Sequence, residues 1–149
     1  MNSNQVPMFE ETIVLINDLS ELDRLDQKFQ NLLISEKIDK KTHFYLNLIG
    51  DELITNIITY GYEDEFEHTI LLQLIITPTY WILTVQDDGR AFNPLNHDIP
   101  ELDLAIEERP IGGLGIHFVK QIMDEISYER QESYNIMSMK KYHILGNEA

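Results

Sequence analysis

Cysteine is absent from the 149 residues of the sequence. This absence excludes disulfides, thiolate metal sites and cysteine nucleophiles, and it suits a reducing compartment. Long apolar runs are also missing: one of the longest is Ile70–Ile76, whereas a membrane-spanning helix needs about 20 apolar residues. The N-terminus has no basic stretch followed by a long apolar one, so a secretion signal is not expected. The composition therefore predicts a cytoplasmic chain without a membrane segment.

Basic residues are scarce, with 11 Lys and Arg against 26 Asp and Glu, and the formal net charge is −15. A surface this acidic repels a phosphate backbone, so direct binding of nucleic acid is not expected. The charge suits a basic protein partner or a metal–nucleotide complex, and it also serves solubility alone.

Apolar periodicity predicts a single α+β domain over residues 1–149, with about nine N-terminal and about seven C-terminal residues flexible. The pattern gives a strand, two helices, a hairpin, a long loop, a third helix and a second hairpin. The predicted elements are strands at 10–17, His68–Thr77, Tyr80–Asp87, Glu125–Arg130 and Asn135–Lys141, and helices from Ser20 to about Lys37, from Asp39 to Gly61 and after Gly113. This order predicts a two-layer α/β sandwich with a mixed, mostly antiparallel sheet and helices on one face.

Glu52 and Asn56 form the first candidate site. They stand four residues apart on the second predicted helix, so they lie on one side of it, bordering its apolar stripe. The amide oxygen of Asn56 is a hard ligand that suits magnesium, and Glu52 could accept a proton from a hydroxyl or water. The alternative is a solvated helix edge without function.

Asp87 is the second candidate, because it continues the core-like row of Trp81, Leu83 and Val85 on one strand face. A buried carboxylate needs hydrogen-bond donors, either an adenine amino group or backbone N–H groups of the following turn. Gly89 follows two residues later, where a missing side chain lets a flat ring approach the backbone.

The third candidate is the run Gly112-Gly113-Leu114-Gly115 before the last predicted helix. Glycines let backbone N–H groups point into a concave site, and a helix N-terminus favours anions, so this run could cradle a triphosphate. It is not a Walker loop, because no Gly-Lys-Ser/Thr follows. The alternative is a flexible loop or an ordinary helix start.

The three motifs occur in the order Glu-x-x-x-Asn, Asp-x-Gly, Gly-Gly-x-Gly, and together they resemble the GHKL ATPase superfamily. Within it, the chain is similar to the anti-sigma factor serine/threonine kinases, which have a histidine-kinase-like ATP-binding domain of the Bergerat fold. The segments DELITNIITYGY, VQDDGRAFNPL, RPIGGLGIHFVKQIMDEISYER and NIMSMKK carry the resemblance. It covers about residues 10 to 142.

The resemblance implies a role for each motif residue. Glu52 would be the general base, Asn56 the Mg²⁺ ligand, and Asp87 the residue that binds the adenine amino group, with Gly89 beneath the ring. Residues of the glycine run, Gly112, Gly113, Leu114 and Gly115, would contact the phosphates.

Two further positions follow from the same resemblance. Arg109 would belong to a lid formed by residues 90–111, and Ser138 would supply a hydroxyl near the adenine-side water. Tyr60 and Ala91 depart from the family pattern, where histidine and proline are common, which leaves nucleotide affinity and partner choice open.

The same resemblance implies that the chain would bind ATP and Mg²⁺, phosphorylate an anti-anti-sigma (STAS-type) protein, sequester a sigma factor, and form a homodimer. The first alternative is a module that holds ATP and acts only by sequestering a partner. A second is a detached sensor-kinase domain that phosphorylates histidine, but the chain has no helical hairpin bearing an acceptor histidine, since His43 lies at the start of a helix within the ATP fold.

Overall fold

The computed structural model describes residues 6–96 and 113–143. In this part of the chain three α-helices, a short 3₁₀ turn and five strands follow one another in nearly the predicted order. The elements are β1 (Phe9–Ile16), α1 (Glu21–Ile34), α2 (Lys40–Tyr60), β2 (Thr69–Ile76), β3 (Tyr80–Asp87), the 3₁₀ turn (Pro94–Asn96), α3 (Gly113–Ile122), β4 (Glu125–Gln131) and β5 (Tyr134–Tyr142).

The strands form one five-stranded sheet in the order β1-β2-β3-β5-β4, and all four neighbouring pairs that the structure describes are antiparallel. The α+β prediction is thus confirmed, but the sheet contains no parallel pair in this region. The reason lies in the topology. β3 and β4 run in the same direction, yet β5 lies between them and separates them.

One face of the sheet carries the core. A buried row crosses four strands in register through Ile13, Leu72, Val85 and Met137, and Phe29 and Leu46 of the helices join the same hydrophobic cluster. The other face is more open, as the 49% exposure of Val14 and the 37% exposure of Leu71 on alternate positions show. The helices therefore cover one face of the sheet, as predicted.

Local signals account for most helix ends. Asp39 caps α2, because its carboxylate accepts a hydrogen bond of 2.8 Å from the Thr42 backbone N–H. Ser20 precedes α1 but makes no side-chain cap, and its hydroxyl bonds to Asp18 instead. α1 ends at Ile34, earlier than predicted, since Glu36 has a positive φ of 64° that a helix cannot contain. None of the helices in residues 6–96 and 113–143 is long and apolar enough to cross a membrane.

Candidate nucleotide site

The two flanks of α2 have different neighbours. Gly50 faces α1, where a Cβ built on it would lie 3.0 Å from Leu25 Cδ2 and 3.4 Å from the Phe29 ring. Glu52 is two residues further along, which turns its side chain about 160° away around the helix axis. Asn56, one turn later, shares that flank. Glu52 and Asn56 therefore point away from α1, on the side of α2 that remains for α3.

Glu52 and Asn56 are only partly exposed, and each carries a buried oxygen without a hydrogen-bond partner in the described residues, Oε2 of Glu52 and Oδ1 of Asn56. Burial raises the pKa of the Glu52 carboxyl, and the neighbouring charge of Asp51 raises it further. A solvated helix edge would leave neither oxygen buried. Such unpaired acceptors cost free energy unless a ligand donates to them, so this flank has the character of a binding surface.

Asp87 ends β3 on the helix-covered face and is only 6% exposed. Its Oδ1 accepts one hydrogen bond of 2.9 Å from the Gly89 backbone N–H and another of 3.0 Å from the Asn135 amide. Burial raises the pKa of Asp87, while these two hydrogen bonds oppose the rise. One of the two kinds of donor predicted for Asp87, a backbone N–H of the following turn, is therefore present. It bonds to only one of the two carboxylate oxygens.

A close backbone contact joins the end of α2 to the Asp87 turn. The Arg90 backbone N–H donates a 2.9 Å hydrogen bond to the carbonyl of Gly61, the residue that ends α2. A Cβ on Gly89 would lie 2.6 Å from the same carbonyl oxygen, which no side chain tolerates. Glycine at position 89 is thus required for this contact, a reason that the sequence pattern did not reveal. The contact fixes the flank of α2 relative to Asp87.

The glycine run, the third motif, lies only partly within the residues that the structure describes. Gly113, Leu114 and Gly115 form the first turn of α3, so the glycine run does lead into a helix N-terminus, while Arg109 and Gly112 lie outside the described residues. The opposite end of α3 lies beside the start of α2. Lys141 joins the two, donating a 2.7 Å hydrogen bond to the Ile122 carbonyl while its Nζ lies 5.3 Å from the Tyr45 ring centroid.

The role predicted for Ser138 does not fit its position. Ser138 pairs with Thr84 on β3, and side chains alternate between the two faces of a strand. Asp87 is an odd number of residues from Thr84, so Ser138 lies on the open face of the sheet, opposite to the Asp87 side chain. The residue that faces Asp87 from β5 is Asn135, its direct partner in the strand register. Sequence reasoning missed Asn135, although the pairing of β3 with β5 identifies it.

A second polar group that the sequence did not reveal lies beside the Asp87 turn. The His68 ring stacks on Tyr62 with 4.2 Å between the centroids, and its two nitrogens lie 2.8 Å from Asp64 Oδ1 and 3.2 Å from the Asp88 oxygens. The hydrogen bond to Asp64, followed by the one to Asp88, raises the pKa of His68. This group connects the segment after α2 to the end of β3.

A metal ion held by protein side chains alone is not supported in the described part of the chain, where no group of three or more His, Asp and Glu side chains is arranged to hold one. Magnesium usually keeps several waters and is bound by one or two protein oxygens together with phosphates. The buried, unpaired Oδ1 of Asn56 fits that mode of binding, since it is a hard oxygen without another partner.

Comparison with known proteins gives a consistent picture. Residues 16–141 match the family described as histidine kinase-like ATPase domain. The chain is 23% identical over 113 residues to the serine/threonine-protein kinase BtrW of Bordetella bronchiseptica, covering 76% of this chain and 80% of that protein. It is 26% identical over 89 residues to an anti-sigma F factor of Bacillus thuringiensis, covering 60% of this chain and 61% of that protein.

Among solved structures, the histidine kinase AdeS of Acinetobacter baumannii matches with a TM-score of 0.48 and 19% identity, covering 98% of this chain and 72% of that one. The family match spans most of the chain and all three motifs. The chain therefore belongs to the histidine kinase-like ATPase domain family, and its relatives support the GHKL anti-sigma kinase branch of that family.

Proposed function

We propose that the protein is an ATP-dependent serine/threonine protein kinase of the anti-sigma type. The observation that carries this proposal is the pair of buried, unpaired oxygens on Glu52 and Asn56, one turn apart on α2, in a chain of an ATPase family. Two buried acceptors without donors destabilise the fold, and these two lie next to each other on one flank of α2. A ligand that supplies a proton donor and a cation would satisfy both.

In this proposal ATP lies between α2, α3 and the end of β3. The carboxylate of Asp87 accepts a hydrogen bond from the adenine amino group. The backbone amides at the start of α3, from Gly113 to Gly115, bind the phosphates with Gly112 and Arg109 of the preceding segment. Asn56 would hold Mg²⁺ through Oδ1, and the ion would neutralise charge on the phosphates.

Glu52 would act as the general base. Its carboxylate oxygen Oε2 is buried and has no partner in the described residues, so it is available to a hydroxyl group that enters the site. Burial raises the pKa of Glu52, which makes its carboxylate a better proton acceptor than that of an exposed glutamate. Glu52 would orient the serine or threonine hydroxyl of a partner and take its proton as the oxygen bonds to the terminal phosphorus of ATP, while the bond from that phosphorus to the bridging oxygen breaks and ADP leaves.

The proposed partners are an anti-anti-sigma (STAS-type) protein, which is the phosphoryl acceptor, and a sigma factor that the chain sequesters. The names of the Bordetella and Bacillus relatives support this assignment. The formal charge of −15 favours a partner with a basic surface. We propose in addition that the protein acts in the cytoplasm as a homodimer and regulates transcription through its partners.

Transfer of labelled phosphate from ATP to an anti-anti-sigma protein of the same genome tests the proposal. Glu52→Gln should lower the transfer rate by a factor of about 100 or more, because the amide cannot accept the proton, while ATP binding persists. The control is Glu10→Gln, the same change at an exposed position of β1. It should transfer phosphate like the wild type.

Two results would contradict parts of the proposed function. Equal transfer by Glu52→Gln and the wild type would remove Glu52 from the mechanism. If the wild type forms a tight ATP-dependent complex with the partner but yields no phosphoprotein, the protein is a sequestering module without kinase activity.

A further inference from the structure

Asn135 is the centre of a hydrogen-bond network that none of the predicted roles uses. Its side chain is buried, with 7% exposure, and lies opposite Asp87 in the β3–β5 register. The amide nitrogen Nδ2 donates hydrogen bonds of 3.0 Å to Asp87 Oδ1 and 2.9 Å to the Arg90 carbonyl. One amide group thus holds both the carboxylate and the turn that follows it.

The amide oxygen of Asn135 is equally engaged. It accepts hydrogen bonds from the Phe92 backbone N–H at 3.3 Å, from Arg130 Nη1 at 3.1 Å and from the Tyr128 hydroxyl. A backbone N–H and a guanidinium can only donate, so the oxygen and nitrogen of this amide cannot exchange places. The orientation of Asn135 is therefore fixed, with its donor side toward Asp87.

Arg130 on β4 supports the same turn. Its Nη1 also donates a 2.9 Å hydrogen bond to the Gly89 carbonyl, and its charge stabilises ionised Asp87. Other charged or titratable groups face Asp87 as well: Asp88 opposes its ionisation, and Tyr62 lies close enough for the charge of Asp87 to raise the pKa of its hydroxyl. Burial and Asp88 thus favour the neutral carboxyl, whereas Asn135, Gly89 and Arg130 favour the carboxylate.

The two oxygens of Asp87 are consequently not equivalent. Oδ1 already accepts from Gly89 and Asn135, while no donor in residues 6–96 or 113–143 is hydrogen-bonded to Oδ2. A carboxylate oxygen left as a pure acceptor attracts an amino group and repels a carbonyl oxygen at the same place. A neutral carboxyl would lose this preference, because its O–H can donate to the carbonyl.

We propose that Asn135 and Arg130 are positioning residues that determine which purine the site selects: they hold Oδ1 of Asp87 and leave Oδ2 as an acceptor, so that a 6-amino purine is preferred to a 6-oxo purine. This inference rests on the proposed binding of ATP at Asp87. It concerns residues on β4 and β5 that make no contact with the base themselves.

Calorimetric titration with ATP and with inosine triphosphate, both with Mg²⁺, tests the inference, since the two purines differ at the 6-position. Asn135→Asp keeps the shape of the side chain but replaces the amide donor with a second carboxylate. Two adjacent carboxylates repel each other, so one of them binds a proton more readily. The preference for ATP should fall by about tenfold, and it should fall further as the pH is lowered from about 8 to about 6. Gln86→Glu, the control, adds the same charge beside Asp87 on the open face and should keep the preference within about twofold.

Arg130→Gln provides a second variant if Asn135→Asp does not fold, because Arg130 is exposed and its replacement disturbs no core packing. It should also weaken the preference for ATP, and Arg130→Lys, which keeps the charge, should restore part of it. A purely structural role would reduce binding of both nucleotides equally at every pH.

The outcomes separate this inference from the proposed function. A wild type that binds neither nucleotide contradicts the proposed function itself. A wild type that binds ATP, with variants that keep its ATP-to-inosine-triphosphate ratio at every pH, overturns the inference alone.

Discussion

The two flanks of α2 contrast sharply in what they bury. On the α1 side, Gly50 packs against Leu25 and Phe29, and these side chains are 1% and 0% exposed. On the other side, Glu52 and Asn56 bury oxygens that no group in the described residues satisfies. Both flanks belong to one helix, and the second lacks the complementarity of the first.

One flank of α2 thus serves packing, and the other has polar groups that are suited to binding a ligand. The Gly50 flank is closely packed, because the apolar side chains of Leu25 and Phe29 surround it, and within the described residues the one buried oxygen without a partner near it is Oδ1 of Asn47. On the Glu52 flank the buried oxygens lack hydrogen-bond donors until a ligand supplies donors and positive charge. The resulting loss of stability is typical of a functional site, where activity and stability conflict.

Phe29→Ala should break the packed flank and leave the polar flank unchanged. Phe29 is fully buried against α2, so its truncation should lower the free energy of unfolding by about 3–5 kcal/mol. Urea denaturation measures this loss, and Ile34→Ala, a truncation at a 67% exposed position of the same helix, is the control. ATP affinity, measured where the variant is folded, should match the wild type. A large loss of affinity would mean that the two flanks are not independent.

Gly89→Ala should separate the flank of α2 from the Asp87 turn. The new Cβ would meet the Gly61 carbonyl at 2.6 Å, and this backbone atom cannot move without displacing the end of α2. We expect a loss of about 1–3 kcal/mol in unfolding free energy, together with weaker ATP binding.

Gly50→Ala is the matched glycine substitution. Its Cβ would meet the end of the flexible Leu25 side chain at 3.0 Å, which can shift, so stability should change by no more than about 1 kcal/mol. Equal effects of the two substitutions on ATP binding would contradict the assigned importance of the Gly61–Gly89 contact.

Glu52→Gln should have a smaller and opposite effect on the polar flank: the free energy of unfolding should rise by up to about 1 kcal/mol at neutral pH. The raised pKa of Glu52 means that the folded state binds a proton more readily than the unfolded state, whose value is near 4.5. The contribution of Glu52 to the unfolding free energy of the wild type therefore increases as the pH falls through the pKa that Glu52 has in the folded state. The gain in unfolding free energy that Glu52→Gln gives over the wild type should therefore shrink as the pH is lowered from neutral towards the pKa of Glu52 in the unfolded state. Urea denaturation at several pH values measures this change.

The order of elements could be predicted from the sequence because local signals determine it. The Asp39 cap, the end of α2 at Gly61 and the limits of β3 all follow from nearby residues. Local periodicity also placed Glu52 and Asn56 on one flank of α2. It could not show which flank α1 covers, and so it left open whether these side chains were solvated.

The residues around Asp87 show where local reasoning ends. Asn135 is 48 positions away in the sequence, and only the β3–β5 register brings it opposite the carboxylate. The family resemblance implied a role for Ser138, but strand alternation places Ser138 on the other face of the sheet. The requirement for Gly89 likewise depends on the distant Gly61 carbonyl. Long-range strand pairing and backbone contacts carry this information, and a single sequence does not display them.

Glu52 and Asn56 can have their proposed roles only if the polar flank of α2 is part of the nucleotide site. Calorimetric titration of ATP into the wild type and into Asn56→Ala, each with and without Mg²⁺, measures this. Magnesium should strengthen ATP binding to the wild type, and Asn56→Ala should lose most of that gain, about tenfold in affinity. An Asn56→Ala variant that binds ATP with the full magnesium dependence of the wild type would show that Asn56 and its flank of α2 do not hold the magnesium–nucleotide complex.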